Sequence, residues 1–268
     1  MIQELKKKIK EIFKNTTGGV SFMNEVQKQT LHKNLEFTAT EQYKLLRANL
    51  AFTVPEDVKC PIIGVTSSVR GEGKSTTAVN LSYVLAEKGS RVLLIDGDLR
   101  IPSVAKKMEI AGSPGLTDVL MGKGAHKMEE FKSDILDTWY IMPSGDIPPN
   151  PSELLGSKRM AAALKNLSEE FDYIIIDLPP VNIVSDALSV SSLITGLVLI
   201  IREEYTEKKE LERCMRQLKL SNVNVLGCVI NGASTGGASY GKYGRSKNNR
   251  YYYKSAYKMK TNEKENEK

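Results

Sequence analysis

The chain has 268 residues, 41% hydrophobic and 26% charged, which suits a soluble globular protein with one large α/β domain or two small ones. Three cysteines without C-x-x-C spacing and two histidines exclude a disulfide framework and a Cys/His zinc centre. The formal charge of +6 sits in one segment: residues 232–268 hold nine Lys/Arg and three Glu, which leaves 29 charges of each sign in residues 1–231.

A nucleic-acid binder carries its basic face on the folded body, so no nucleic-acid partner is expected. No apolar run approaches the ~18 residues of a spanning helix. The start, MIQELKKKIK, lacks the apolar stretch of a secretory signal. The expectation is a reduced, cytoplasmic chain.

Residues 1–15 place Ile2, Leu5, Ile9, Ile12 and Phe13 at helical spacing among lysines. Such a basic amphipathic helix suits an anionic membrane surface or a partner; the alternative is a frayed terminal helix on the protein's own surface. Residues 16–37 read as a polar linker. A helix is predicted over 39–52, with Thr38 or Thr40 as cap, an apolar side of Leu45, Leu46, Ala48 and Leu50, and Pro55 beyond its end. Apolar runs follow at 61–66, 91–96, 140–142, 173–177, 197–201 and 223–230. They do not alternate with polar residues, the pattern of strands buried on both faces. Helices at 74–88 (with Gly89 at its C-terminus), 157–170 and 206–219 separate several of them. Alternating strands and helices predict an α/β fold: a doubly wound, mostly parallel sheet with helices on both faces and ligands at the carboxyl ends of its strands. After Asn231 the chain has no Leu, Ile, Val or Phe and reads as a disordered tail, yet it holds six of the eleven tyrosines. The organisation expected is 1–37 helix and linker, 38–231 folded domain, 232–268 tail.

Ser68-Val-Arg-Gly-Glu-Gly-Lys-Ser75 lies between a predicted strand and a predicted helix. It fits the phosphate-binding pattern G-x-x-x-x-G-K-[ST], with Ser68 at the first glycine. Backbone amides of Arg70, Gly71, Glu72, Gly73, Lys74 and Ser75, with Thr76 behind them, would wrap phosphate oxygens at a helix N-terminus. Lys74, read as an exposed charge, would reach the β/γ-phosphates, and the Ser75 hydroxyl would bind Mg2+. Asp96 and Asp98 end one apolar strand and Asp177 ends another. Magnesium takes few direct protein ligands, so Ser75, Asp98 and Asp177 with phosphates would suffice. The rival for Asp177 alone is a solvated helix cap.

These motifs, in this order and spacing, resemble the bacterial tyrosine autokinases (BY-kinases) of capsule and exopolysaccharide assembly. The resemblance rests on residues 68–75 (Walker A), on Leu93-Leu-Ile-Asp-Gly-Asp-Leu-Arg100 (Walker A′, hhhDxDxR) and on 174–177 (Walker B). Pro148-Pro-Asn-Pro-Ser-Glu-Leu-Leu155 and the tyrosine-rich end add to it. It implies a P-loop NTPase-like fold, ATP and Mg2+, and phosphorylation in trans of Tyr240, Tyr243, Tyr251, Tyr252, Tyr253 and Tyr257. It further implies a separate transmembrane activator that recruits the chain to the inner face of the membrane, and a cognate tyrosine phosphatase. A ring of unphosphorylated chains would be held through Glu41, Lys44 and Arg47, where the family has E-x-x-R-x-x-R and this chain has a lysine. The resemblance also brings Asn231 to the adenine. Asp96 is expected to orient or deprotonate the acceptor hydroxyl, a role it could exchange with Asp98.

Two other functions fit parts of the sequence. A switch ATPase of the cell-division-site or plasmid-partition type shares the fold, but carries a lysine where this chain has Val69. A non-enzymatic module binding RNA or acidic polysaccharide through its tail leaves the three motifs unexplained. The kinase reading accounts for all of them.

Overall fold

The structure, a computed structural model, describes residues 35–123 and 127–233. The expected helix at 1–15, most of the linker and the six tail tyrosines lie outside the described residues.

Six strands form one sheet in the order β3-β2-β4-β1-β5-β6, and all five pairings are parallel. The strands are β1 (Ile62–Ser67), β2 (Val92–Asp96), β3 (Trp139–Met142), β4 (Tyr173–Asp177), β5 (Gly196–Arg202) and β6 (Val225–Asn231). Their apolar runs are unbroken because each strand serves two cores. Ile174 and Ile176 of β4 enter one cluster with Leu197 and Leu199 of β5; Ile175, Val198 and Ile200 enter the cluster on the other face.

One face is covered by α1 (Phe37–Thr53) and α2 (Lys74–Glu87). Helix α2 lies between α1 and the sheet and is buried along most of its length, from Ser75 to Ala86. The short helices α3 (Val104–Met108) and α4 (Leu116–Met121) follow β2 in the chain, and α5 (Pro151–Leu155) follows β3. On the other face α6 (Lys158–Leu167) buries Met160, Leu164 and Leu167, and α8 (Lys208–Leu220) buries Leu211, Cys214, Met215 and Leu218. Helix α7 (Asp186–Ser189) packs against α5. The four short helices α3, α4, α5 and α7 are too brief to leave a period in sequence, and none was expected.

Helix α1 departs from expectation in two ways. Neither threonine caps it: the helix begins at Phe37, and the Thr40 hydroxyl donates back to the Glu36 carbonyl at 3.1 Å. Its inward side is Tyr43, Leu46 and Leu50, at i, i+3 and i+7, whereas Leu45 is 54% exposed and Ala48 faces solvent. Arg47 donates to the carbonyl of Val84 in α2. Among the described residues no helix is long and apolar enough to cross a membrane.

Candidate active site

Strands β2, β4 and β1 are neighbours, so three chain segments leave the same sheet edge side by side. The segment after β1 is the glycine-rich loop. Gly71 (φ +83°) and Gly73 (φ +97°) occupy left-handed conformations that an L side chain rarely adopts. A Cβ at Gly73 would overlap the Asn231 amide, and one at Gly71 would lie 2.8 Å from the Tyr205 hydroxyl. Gly73 caps α2 without any side-chain bond, so the first-turn amides of α2 are left for an anion.

The outer side of this loop is tied down carbonyl by carbonyl. Tyr205 Oη donates to Arg70 O, Arg202 Nη1 to Gly71 O and Asn231 Nδ2 to Glu72 O, each at 3.0 Å. Three consecutive carbonyls turned outward leave their peptide planes presenting N–H groups inward. The buried Glu72 carboxylate accepts from Ser68 Oγ (2.9 Å), from the Val69 amide (2.8 Å) and from the Thr206 hydroxyl. Ser68 thus replaces the usual glycine by bonding across the loop it opens. Arg202, Tyr205 and Thr206 were not among the expected site residues. Their signal in sequence was position alone, at the carboxyl end of a buried strand.

The three acids converge as their strand ends require. Asp96 and Asp177 are register partners on β2 and β4, and both are fully buried. Burial and then the charge of Asp177 push the Asp96 carboxyl up to about 7, against the pull of backbone amides and Lys74. Burial likewise raises Asp177, opposed by Lys74 and Ser75. Burial makes a solvated helix cap at Asp177 untenable. Asp96 spends its oxygens on the loop that follows it, accepting from the amides of Asp98 (3.2 Å), Ser103 (3.0 Å) and Val104 (2.9 Å). Asp98 instead faces the glycine-rich loop: Lys74 Nζ lies 3.0 Å from its Oδ2, 3.4 Å from Asp177 Oδ1 and 3.2 Å from Ser75 Oγ.

Lys74 is therefore not the exposed charge the sequence suggested. Only 12% of its side chain is accessible. Burial alone would lower its pKa, but Asp177 and Asp98 outweigh that and hold it above the usual lysine range. A cation drawn between two carboxylates and a hydroxyl, all hard oxygen donors, marks where Mg2+ would fit. Among the described residues there is no group of three His, Cys, Asp or Glu that could hold a metal ion. Arg70 and Gly71 are exposed and Thr76 is half-buried on the first turn of α2. Glu41 and Lys44 pair with each other at 3.0 Å on the exposed side of α1, while Arg47 is engaged within the fold.

The thiols offer no rival chemistry: burial pushes Cys60 up to about 11 and Cys214 and Cys228 up to about 12. An open groove of about 580 Å³, lined by Val54, Lys59, Lys88 and Asp172 among others, includes none of the loop or acid residues just described. It lies by the amino ends of strands, where a parallel sheet does not place its chemistry.

A glycine-rich loop feeding a buried helix, a lysine drawn onto acids from two further strands and a parallel sheet with β1 central define a nucleotide-binding P-loop protein. A profile of the AAA domain family matches residues 60–221. The chain is 37% identical to the tyrosine-protein kinase YwqD of Bacillus subtilis over 212 residues, 78% of this chain and 88% of that one. It is 35% identical to the tyrosine-protein kinase CpsD of Streptococcus agalactiae, over 76% of this chain and 89% of the relative. Among solved structures, the kinase domain of Escherichia coli tyrosine kinase ETK superposes with a TM-score of 0.68 at 28% identity, covering 83% and 89% of the two chains. The chimerical protein CapA2B2 gives 0.67 at 31%, covering 73% and 85%. The septum site-determining protein MinD of Pyrococcus horikoshii, complexed with Mg-ADP, gives 0.53 at 26%, covering 66% and 72%. The chain belongs to the BY-kinase family of capsule biosynthesis and is a protein-tyrosine kinase.

Proposed function

We propose that this kinase transfers the γ-phosphoryl group of ATP to the tail tyrosines of a neighbouring copy, and so regulates polymerisation and export of a capsular or extracellular polysaccharide. The observation that carries the reading is Lys74, drawn at the mouth of the P-loop onto Asp98 and Asp177, in a chain of this family. The acceptors are Tyr240, Tyr243, Tyr251, Tyr252, Tyr253 and Tyr257. Loop amides and Lys74 hold the phosphates, Lys74 leaving the carboxylates for them. Ser75, Asp98 and Asp177 hold magnesium directly or through water; when bound, it neutralises charge on the group in transit. The bond from Pγ to ADP breaks, the bond to the phenol oxygen forms, and a carboxylate takes the phenolic proton. Asp96 is the candidate for that proton, a role it could exchange with Asp98. Asn231 braces the loop, and the family resemblance is what brings it to adenine. Family membership supports the remaining elements of the reading: a membrane activator that recruits the chain, a ring of unphosphorylated copies using Glu41, Lys44 and Arg47, and a tyrosine phosphatase.

The likeness to MinD favours a second reading, a switch ATPase that passes no phosphate to protein. Val69 in place of that class's lysine weighs against it. Incubation of the full chain with ATP and Mg2+, with phosphates mapped by mass, tests both. Phosphate on the 240–257 tyrosines is expected. ATP consumption with unmodified tyrosines would overturn the proposal in favour of the switch.

A further inference from the structure

Two motifs are left over from the nucleotide chemistry: the arginine that closes hhhDxDxR, and the Pro-Ser-Glu-Leu-Leu segment after β3. The structure joins them. Arg100 Nε donates to Asp186 Oδ2 at 2.9 Å and Nη2 to Asp186 Oδ1 at 3.1 Å, a two-pronged fork on one carboxylate. Nη2 also reaches the Ser152 hydroxyl at 3.2 Å, and that hydroxyl bonds the same carboxylate. Asp186 is fully buried, and Arg100 is the cation that pairs with it. Arg100 itself is 39% accessible, at the surface end of the cluster. The cluster ties together the loop after β2, the start of α5 and the segment after β4.

The tie matters because of what adjoins Arg100. The next amide, Ile101 N, donates to Asp98 Oδ1 at 3.1 Å, while Asp98 Oδ2 faces Lys74. Residues 97–103 form no helix or strand. The loop is pinned by Asp96 at Ser103 and Val104, and its middle is fixed to the body by Leu99, which is fully buried in the core, and by Arg100 on Asp186. A fixed Arg100 fixes the Ile101 amide, and that amide sets the rotation of the Asp98 carboxylate.

We propose that Arg100 is a positioning residue: its fork on Asp186 aims Asp98 at the magnesium–nucleotide centre. The inference rests on the magnesium role of Asp98 proposed above. Arginine is required because a lysine ammonium cannot span both carboxylate oxygens in plane.

The test is binding of a fluorescent ADP analogue to the full chain as magnesium is titrated, for wild type, Arg100→Gln, Arg100→Lys, Asp186→Asn and Ser152→Ala. Loss of a supporting partner weakens metal binding ~10–100-fold, so Arg100→Gln should raise the half-saturating magnesium by that factor. Binding without magnesium should stay within about threefold, since the loop amides are untouched, and Arg100→Lys should fall between. The double variant Arg100→Gln/Asp186→Asn should be no worse than the poorer single one. If Asp186→Asn fails to fold, Ser152→Ala keeps both charges and should shift magnesium dependence by a few-fold. An unchanged magnesium dependence in Arg100→Gln, an equal loss with and without magnesium, or a wild type indifferent to magnesium would each overturn the proposal. None of these outcomes requires tyrosine transfer, so failure of the kinase reading is separately visible.

Discussion

At the scale of the residue, the site is a problem of like charges. Asp96 and Asp177 stand opposite each other in register, without solvent, and Asp98 is two residues from one of them. What makes this tolerable is division of labour. Asp96 is solvated by backbone amides, and Asp98 and Asp177 by Lys74. Lys74→Met should therefore do more than abolish phosphotyrosine. It leaves two carboxylates without their cation and should lower nucleotide-free stability by ~3 kcal/mol near neutral pH, as when a buried ion pair is broken. The sign with pH follows from Asp177, whose folded-state pKa is raised. The folded state then binds the extra proton, so the deficit relative to wild type should shrink as pH falls from 7 towards 5. Parallel melting curves of the two proteins at pH 5 and 7 check this. A variant as stable as wild type at both values would mean that Lys74 is not the cation these acids depend on.

At the scale of the element, the phosphate loop owes its shape to two other strands. β5 ends in Arg202 with Tyr205 and Thr206 just beyond, and β6 ends in Asn231; their donors take the outward carbonyls of residues 70–72 and the Glu72 carboxylate. Tyr205→Phe removes one neutral bond of ~0.5–1.5 kcal/mol and should weaken ADP binding up to about tenfold with little change in melting temperature. Calorimetric titration measures it, and unaltered affinity would show the brace to be idle. This brace also marks the limit of sequence reading. Residues 68–75, 93–100 and 174–177 could be placed because strand ends converge by topology, and period and spacing reveal strand ends. Tyr205 lies one loop further on, and its partner is a backbone carbonyl, which has no letter in the sequence. The same limit misread α1: Leu45 and Leu46 are equally apolar, and only packing on α2 decides which one turns in.

At the scale of the whole molecule, charge separates body from tail. Residues 1–231 are formally neutral and 232–268 carry the +6. Each tyrosine phosphate adds about −1.5 to −2, so three or four would cancel it. If transfer runs between copies, a chain ending at Asn231 should bind ATP and remain unmodified. It should then phosphorylate a full-length Lys74→Met chain supplied as acceptor. Phosphate mapping of the mixture decides, and an acceptor left bare would point to transfer within one chain.

Arg47 carries a last consequence. The final four carbonyls of an α-helix have no partner inside it and form its negative pole. Val84 O is one of these for α2, the helix that opens at Lys74, and the Arg47 guanidinium closes it. One cation on α1 therefore closes a carbonyl in the last turn of the very helix whose other end is proposed to receive phosphate. A neighbouring chain that recruits Arg47 into an interface must draw it off Val84, leaving that carbonyl unpaired. Assembly and the phosphate-binding helix would then be rivals for a single side chain.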